Sequence, residues 1–377
     1  MIHVQHLLGI GHLQRAATLA GALSRRGFRI ELVSGGMPPT MEIADEVRLW
    51  QLPPARSPDV EFSHLVDASG RRVDDAWRLV RRRRLLDLFD RLQPRALITE
   101  TFPFGRNMLR FELIPLLEAA RRSAACGLVV SSIRDILQPK TRPGRSHGTC
   151  ELIDRYYDRV LVHGDPSVAR LEDSFDAVDR IRDKIAYSGY IVAPVSATGT
   201  GGGQPGEVLV SAGGSATGVK ILETALGARP LTSLADRHWR ILVSPAIEEA
   251  DFDRLAKYAG TNTTVERNRS DFDELIRRAA LSISQAGYNT ACDLLGSDTA
   301  AVFVPFADGD EIEQSLRARR LQERGRLVML EQQELAPDGL AVAIERAMAL
   351  DTRIEVDLDG ARRSAELIEQ WLDTGNP

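Results

Sequence analysis

The chain has 377 residues, 43% of them hydrophobic and 27% charged; this is globular composition, and the length exceeds one compact core and suits two ordinary domains. Its three cysteines, Cys126, Cys150 and Cys292, form no CxxC pair, which excludes a disulfide framework and a multi-cysteine zinc site and fits a reducing compartment. The net charge of -5 hides a split: residues 1–188 carry +5 and residues 189–377 carry -10, so the two halves are expected to meet different partners.

Short β-branched or Leu-rich runs alternate with amphipathic helices, which predicts an α/β fold with parallel sheets. The chain opens on a strand over 2–7, without the basic-then-apolar layout of a signal peptide. A glycine turn, Gly9-Ile10-Gly11-His12, leads into a helix over 12–26. Leu13, Ala16, Ala17, Ala20, Leu23 and Ser24 share one face of it, with Arg15, Arg25 and Arg26 largely off that face. Further strands are expected over 29–33, 96–99, 128–131 and 159–162. A helix-like stretch over 73–92 contains Arg81-Arg82-Arg83-Arg84, which spans more than one helix face and is read as a solvated surface.

The segment 191–206 ends in GTGGGQPG and is the best linker in the sequence. The pattern then restarts. Strands are predicted over 207–211, 240–244, 264–267, 280–284, 300–305 and 327–330, with helices over 271–278, 289–295 and 313–324. The domains expected are an N-terminal one over 1–190, the linker, and a C-terminal one over 207–355. A closing helical segment over 356–377 is expected to return towards the N-terminal domain. Two such halves imply a ligand cleft between them. No stretch approaches the roughly eighteen apolar residues of a membrane span, and a cytoplasmic protein is expected.

Several segments carry chemistry. Glycine at Gly9 and Gly11 lets a ligand approach the backbone. Position 14 is Gln14 where a dinucleotide fingerprint needs a third glycine. His12, at the mouth of this turn, is a candidate general base or a capping residue. Gly213-Gly214-Ser215 ends the first strand of the second half and suits a phosphate; Lys220 lies too far on for a Walker A loop. The run from Ser284 through Gln285, Ala286, Gly287, Asn289 and Thr290 to Asp293 places polar groups at a helix start, with a carboxylate one turn on that can accept ribose hydroxyls. Glu313 and Gln314, at the start of a later helix, can bond sugar hydroxyls. Asp308-Gly309-Asp310 has the look of a divalent-ion loop but brings no further ligand, so no metal is expected. Glu100, Arg106, Arg134 and Asp135 follow first-half strands, where open α/β sheets bind ligands. Aromatics are sparse and no RNA-binding signature appears, so no nucleic-acid partner is expected.

Gly9-Ile10-Gly11-His12, Gly213-Gly214-Ser215 and the run from Ser284 through Pro305-Phe306 to Glu313-Gln314 resemble the GT-B glycosyltransferases of family 28. Tyr157-Asp158-Arg159-Val160-Leu161-Val162-His163-Gly164-Asp165-Pro166 and Ser284-Gln285-Ala286-Gly287-Tyr288-Asn289-Thr290 resemble more closely a bacterial group of uncharacterised predicted glycosyltransferases. The resemblance covers nearly the whole chain. It implies two Rossmann-like domains facing across a cleft. It also implies a nucleotide-sugar donor, such as a UDP-sugar, held by the C-terminal domain. By motif position Asp293 stands where the family has a ribose-binding glutamate, and Glu313-Gln314 stand where it has a Gln pair on the donor sugar. The implied activity is metal-independent transfer to an unidentified acceptor hydroxyl, with His12 as base and no cofactor beyond the donor. The basic half makes an anionic or lipid-linked acceptor, and peripheral contact at the inner membrane face, worth testing. A nucleotide-sugar hydrolase or epimerase on the same scaffold, and a non-catalytic nucleotide-sugar-binding protein, remain open.

Overall fold

The computed structural model describes all residues except 40, 60–61, 139–144, 193–202, 214–215, 270, 308–310 and 376–377. The chain forms two units. The first comprises residues 1–166, 170–191 and 359–377; the second comprises 167–169 and 192–358. Most of the glycine-rich linker, 193–202, lies outside the described residues.

In the first unit the strands are β1 (Ile2–Val4), β2 (Ile30–Ser34), β3 (Val47–Gln51), β4 (Ala55–Arg56), β5 (Val66–Asp67), β6 (Ala96–Glu100), β7 (Leu128–Arg134), β8 (Arg159–His163) and β9 (Ile185–Tyr187). Seven of them form a parallel sheet in the order β3-β2-β1-β6-β7-β8-β9, while β4 and β5 pair separately and antiparallel. Helices α1 (Gly11–Arg25), α2 (Asp75–Leu92), α3 (Arg110–Arg122) and α4 (Arg145–Tyr156) supply the crossovers. Strand side chains alternate between the two faces. Val33, Leu97, Val129 and Val160 join Leu85, Phe89, Leu113 and Leu117 in one core. Ile2, Val4, Leu32, Ile98, Val130 and Leu161 join Leu13, Leu19 and Leu23 in the other. Covering both faces explains why the central strands read as continuous apolar runs.

The second unit repeats this plan. Its strands are β10 (Val208–Ser211), β11 (Trp239–Val243), β12 (Thr263–Arg267), β13 (Leu281–Ser284), β14 (Ala300–Phe303) and β15 (Val328–Met329), all parallel, in the order β12-β11-β10-β13-β14-β15. Around them lie α5 (Ala216–Ala228), α6 (Glu249–Tyr258), α7 (Phe272–Arg278), α8 (Tyr288–Leu295), α9 (Glu313–Glu323) and α10 (Pro337–Met348). The last helix, α11 (Gly360–Asp373), belongs to the first unit, where Ala365 and Ile368 join the core that contains Leu13 and Leu19.

In both sheets the strand order reverses beside the first strand: between β1 and β6, and between β10 and β13. That reversal leaves a crevice at the carboxyl ends of the two strands, the usual ligand position in open α/β sheets. His12 and Glu100 stand at the first switch point; Gly213 and Gln285 stand at the second.

Two features differ from expectation. Strands β3 and β9, at the two edges of the first sheet, lie outside the expected strands; β3 has Arg48, Leu49 and Gln51 exposed, and β9 is only half-buried. The arginine run is not a wholly solvated surface either. Arg81 is fully buried, paired through Nε and Nη2 with the Glu112 carboxylate at 2.6 and 2.8 Å, and donates to the carbonyls of Gly35 and Pro53 and to Gln5 Oε1. Removing one partner leaves the other charge buried. Glu112→Ala is therefore expected to lower the unfolding free energy by about 3–5 kcal/mol in denaturant titration, and the double variant Arg81→Met/Glu112→Leu to recover most of it.

Candidate active site

In the first unit, α1 begins directly after the glycine turn and places His12 in its first turn. His12 Nδ1 lies 3.0 and 2.9 Å from the two Glu100 oxygens at the end of β6. A carboxylate only accepts, so Nδ1 carries the proton and Nε2 keeps its lone pair. Thr101 Oγ1 donates to Glu100 Oε2 at 2.7 Å, and the Arg15 guanidinium pairs with Glu100 Oε1. The Glu100 side chain is almost completely enclosed, whereas His12 keeps 18% of its side-chain surface exposed. Burial alone would raise the carboxyl, but His12 and Arg15 outweigh it and hold Glu100 well below the usual carboxylate range. Burial pushes the imidazole down to about 3; Glu100 opposes this, while Arg106 and Arg15 add to it.

The loop after Glu100 is strained. Thr101 and Arg106 both adopt left-handed backbone, at φ 67 and 60, which is unfavourable for a β-branched residue and concentrates at functional sites. Arg106 Nε donates to the Gln5 carbonyl at 2.9 Å, and its guanidinium acts electrostatically on both His12 and Glu100. Arg134 is half-buried at the end of β7. Asp135, expected to line a ligand site, is fully buried instead. It accepts from the backbone N–H of Ile136 and from the Tyr190 hydroxyl at 2.8 and 3.1 Å, so it braces the fold. Gly9 is exposed, and a side chain there would meet nothing within 4 Å.

In the second unit a pocket of about 330 Å³ opens at the carboxyl ends of the strands. Gly213, Gln285, Gly287, Thr290 and Gln314, all among the expected donor contacts, line it. Gln285 Oε1 accepts the Gly213 N–H at 2.8 Å, an approach so close that a Cβ at 213 would sit 2.7 Å from that oxygen. This bond fixes the amide orientation and leaves Gln285 Nε2 buried with no partner among the described residues. Gln314 Oε1 in turn accepts from the Phe306 N–H at 3.1 Å. Gly214 and Ser215 lie outside the described residues, as do 308–310.

Sequence reasoning missed one wall. Asn268, Arg269 and Phe272, after β12, complete the pocket. Arg269 is held by a two-pronged bond to Asp271 at 2.8 and 2.7 Å, which raises its pKa further and keeps it charged. Their position at a strand's carboxyl end was the available signal.

Four expected donor residues do not line this pocket. Ala286 is buried, and its carbonyl accepts from Arg317 Nη1 at 2.8 Å. Glu313 is buried against Arg317 Nη2 at 2.9 Å, one helical turn away, and Arg317 lies over the Tyr288 ring. Glu313 thus braces the loop from behind. Asn289 is on α8, away from the lining. Asp293 is half-buried on α8; burial, reinforced by Asp273 and opposed by Arg277, pushes its carboxyl up to about 7.

Residues 208–370 match the glycosyltransferase family 28 C-terminal domain. The match takes in all six strands of the second unit and most of α11. An uncharacterized glycosyltransferase of Methanopyrus kandleri is 30% identical over 220 residues, covering 57% of this chain and 56% of that protein. A UDP-N-acetylglucosamine--N-acetylmuramyl-(pentapeptide) pyrophosphoryl-undecaprenol N-acetylglucosamine transferase of Trichlorobacter lovleyi is 31% identical over 174 residues, covering 44% of this chain and 45% of that one. The chain thus matches about half the length of these curated relatives or less. Among solved structures, the calicheamicin glycosyltransferase CalG4 matches with TM-score 0.63 at 15% identity, covering 100% of this chain and 98% of that chain. Acinetobacter baumannii MurG matches with TM-score 0.58 at 15% identity, covering 98% and 99%. The fold is that of the GT-B glycosyltransferases, with two Rossmann-like domains. The family 28 match includes the pocket and both glycine turns that frame it.

The raised Asp293 carboxyl carries a stability consequence. The folded protein holds this proton more tightly than the unfolded chain between the ordinary aspartate value of 3.8 and about 7. Stability is therefore lost as pH rises through that window. Asp293→Asn is expected to raise the melting temperature at about pH 8 and leave it unchanged near pH 4.

Proposed function

We propose that the protein is a metal-independent glycosyltransferase that moves a sugar from a nucleoside-diphosphate donor to an acceptor hydroxyl. The observation that carries this reading is the pocket of the family 28 domain. There a buried Gln285 amide donor with no partner among the described residues, a fixed Arg269 and the N-terminal end of α8 meet. Such an array suits a diphosphate and the sugar it carries. UDP-sugars are the first donors to test, since a curated relative is named for UDP-N-acetylglucosamine; dTDP follows, since the matching VinC structure is a dTDP complex.

His12 acts as the base. Nε2 takes the proton of the acceptor hydroxyl while that oxygen bonds to the anomeric carbon. The bond from this carbon to the diphosphate breaks, and the diphosphate leaves with the electron pair. Glu100 faces the imidazolium as it forms. The acceptor we propose is anionic or lipid-linked, in keeping with the +5 of residues 1–188 and with the exposed Arg83 and Arg84 on α2. Peripheral contact with the inner membrane face from the cytoplasm goes with it. No helix among the described residues is long and apolar enough to cross a membrane.

A thermal-shift screen of UDP-, GDP-, dTDP- and CMP-sugars tests the donor site, because only bound ligand stabilises the fold. A shift with at least one is expected, and Gln285→Ala should reduce it; no shift with any contradicts the reading. His12→Ala should lower transfer about 10²–10⁴-fold with donor binding intact. Retained turnover would remove His12 from the role of base.

A further inference from the structure

His12 and Arg15 are three residues apart on α1, so both project towards β6. The sequence places Arg15 off the apolar face of this helix, where solvent is the ordinary environment. The structure buries it instead: Arg15 is 4% exposed, and its guanidinium pairs with Glu100 Oε1. Its Nη2 lies 3.3 Å from His12 Nδ1. An arginine rarely gives up its hydration without a specific partner, and this partner is the carboxylate that holds the candidate base.

Glu100 therefore serves three donors: His12 Nδ1, Thr101 Oγ1 and Arg15. Without Arg15, a buried anion beside the imidazole would favour the protonated ring. With Arg15 in place, that anion is already paired. A further positive charge on His12 would meet Arg15 from its own helix and Arg106 from the loop after β6. Arg15 and Glu100 also act electrostatically on His163 at the end of β8, so their charges bear on the buried end of the sheet.

We propose that Arg15 is a positioning residue: it locks Glu100 onto His12 Nδ1 and keeps the ring uncharged, so that Nε2 is always available as the base. The electrostatics agree in sign, since Arg15 acts to lower the imidazole pKa. This inference rests on His12 as the base, but its test needs no turnover. The ring titration is read by NMR on the full-length protein labelled at histidine, with His12→Gln identifying the His12 signals among the seven histidines.

In the wild type, His12 should not titrate above about pH 5. In Arg15→Met its titration should move up by about one unit or more, and the acid limb of any transfer activity should move with it. Arg15→Lys keeps the charge and should restore the wild-type titration. Arg15→Gln keeps a donor for Glu100 without the charge and should shift as Arg15→Met does, which covers the case where Arg15→Met does not fold. An unshifted His12 titration in a folded variant without the charge overturns the proposal, as does a wild-type ring that titrates near neutral pH. A shifted titration together with full transfer activity in His12→Ala would instead leave the electrostatic lock standing and remove the base assignment.

Discussion

A single buried carboxylate organises the first unit's candidate chemistry. Glu100 ends β6 with almost no contact with water, and ionising it there is costly unless every oxygen is matched. Three donors from two segments meet that demand: His12 and Arg15 from α1, and Thr101 from the loop that follows the strand. The constraint reaches back to the sequence. His12 must begin a helix directly after the glycine turn, Arg15 must follow three residues later, and Thr101 must hold a left-handed backbone to aim its hydroxyl. Low dielectric makes each of these contacts stronger and each missing one more costly.

The second unit solves a different problem with the same topology. It is acidic overall, yet the donor proposed for its pocket is an anion. On that proposal, backbone groups, an amide and one clamped arginine meet the anion in place of a field of lysines. Gly213 lets the Gln285 carbonyl oxygen approach the backbone, and the other end of that amide is buried. Behind the loop, Arg317 grips the Ala286 carbonyl and is itself neutralised by Glu313. A buried charged pair set behind the loop fixes its position while the pocket wall stays polar and open.

Much of this was legible in the sequence. Eleven of the strands were expected from the sequence, most of them as buried apolar runs, because parallel strands covered on both faces have no reason to alternate. The glycine turns were readable because they fall between a strand and a helix. The edge strand β3 was not, since one side of it needs no apolar cover. Arg15 and Arg81 were misplaced for a common reason: helix periodicity assigns charged residues to solvent, and both find buried carboxylates from distant segments, Glu100 and Glu112. Glu313 followed the same rule in reverse. Its motif position pointed to a ligand, but an arginine one turn along its own helix claims the carboxylate. Asn268 and Arg269 escaped because an Asn-Arg pair after a strand carries no distinctive pattern.

The most direct test of the Glu100–His12 arrangement is the tautomer of His12 in the resting wild-type protein. Nitrogen-15 chemical shifts of the labelled ring distinguish the protonated from the bare nitrogen. A neutral ring with the proton on Nδ1 and a bare Nε2 at neutral pH is the expected result. An imidazolium, or a neutral ring protonated at Nε2, would contradict it.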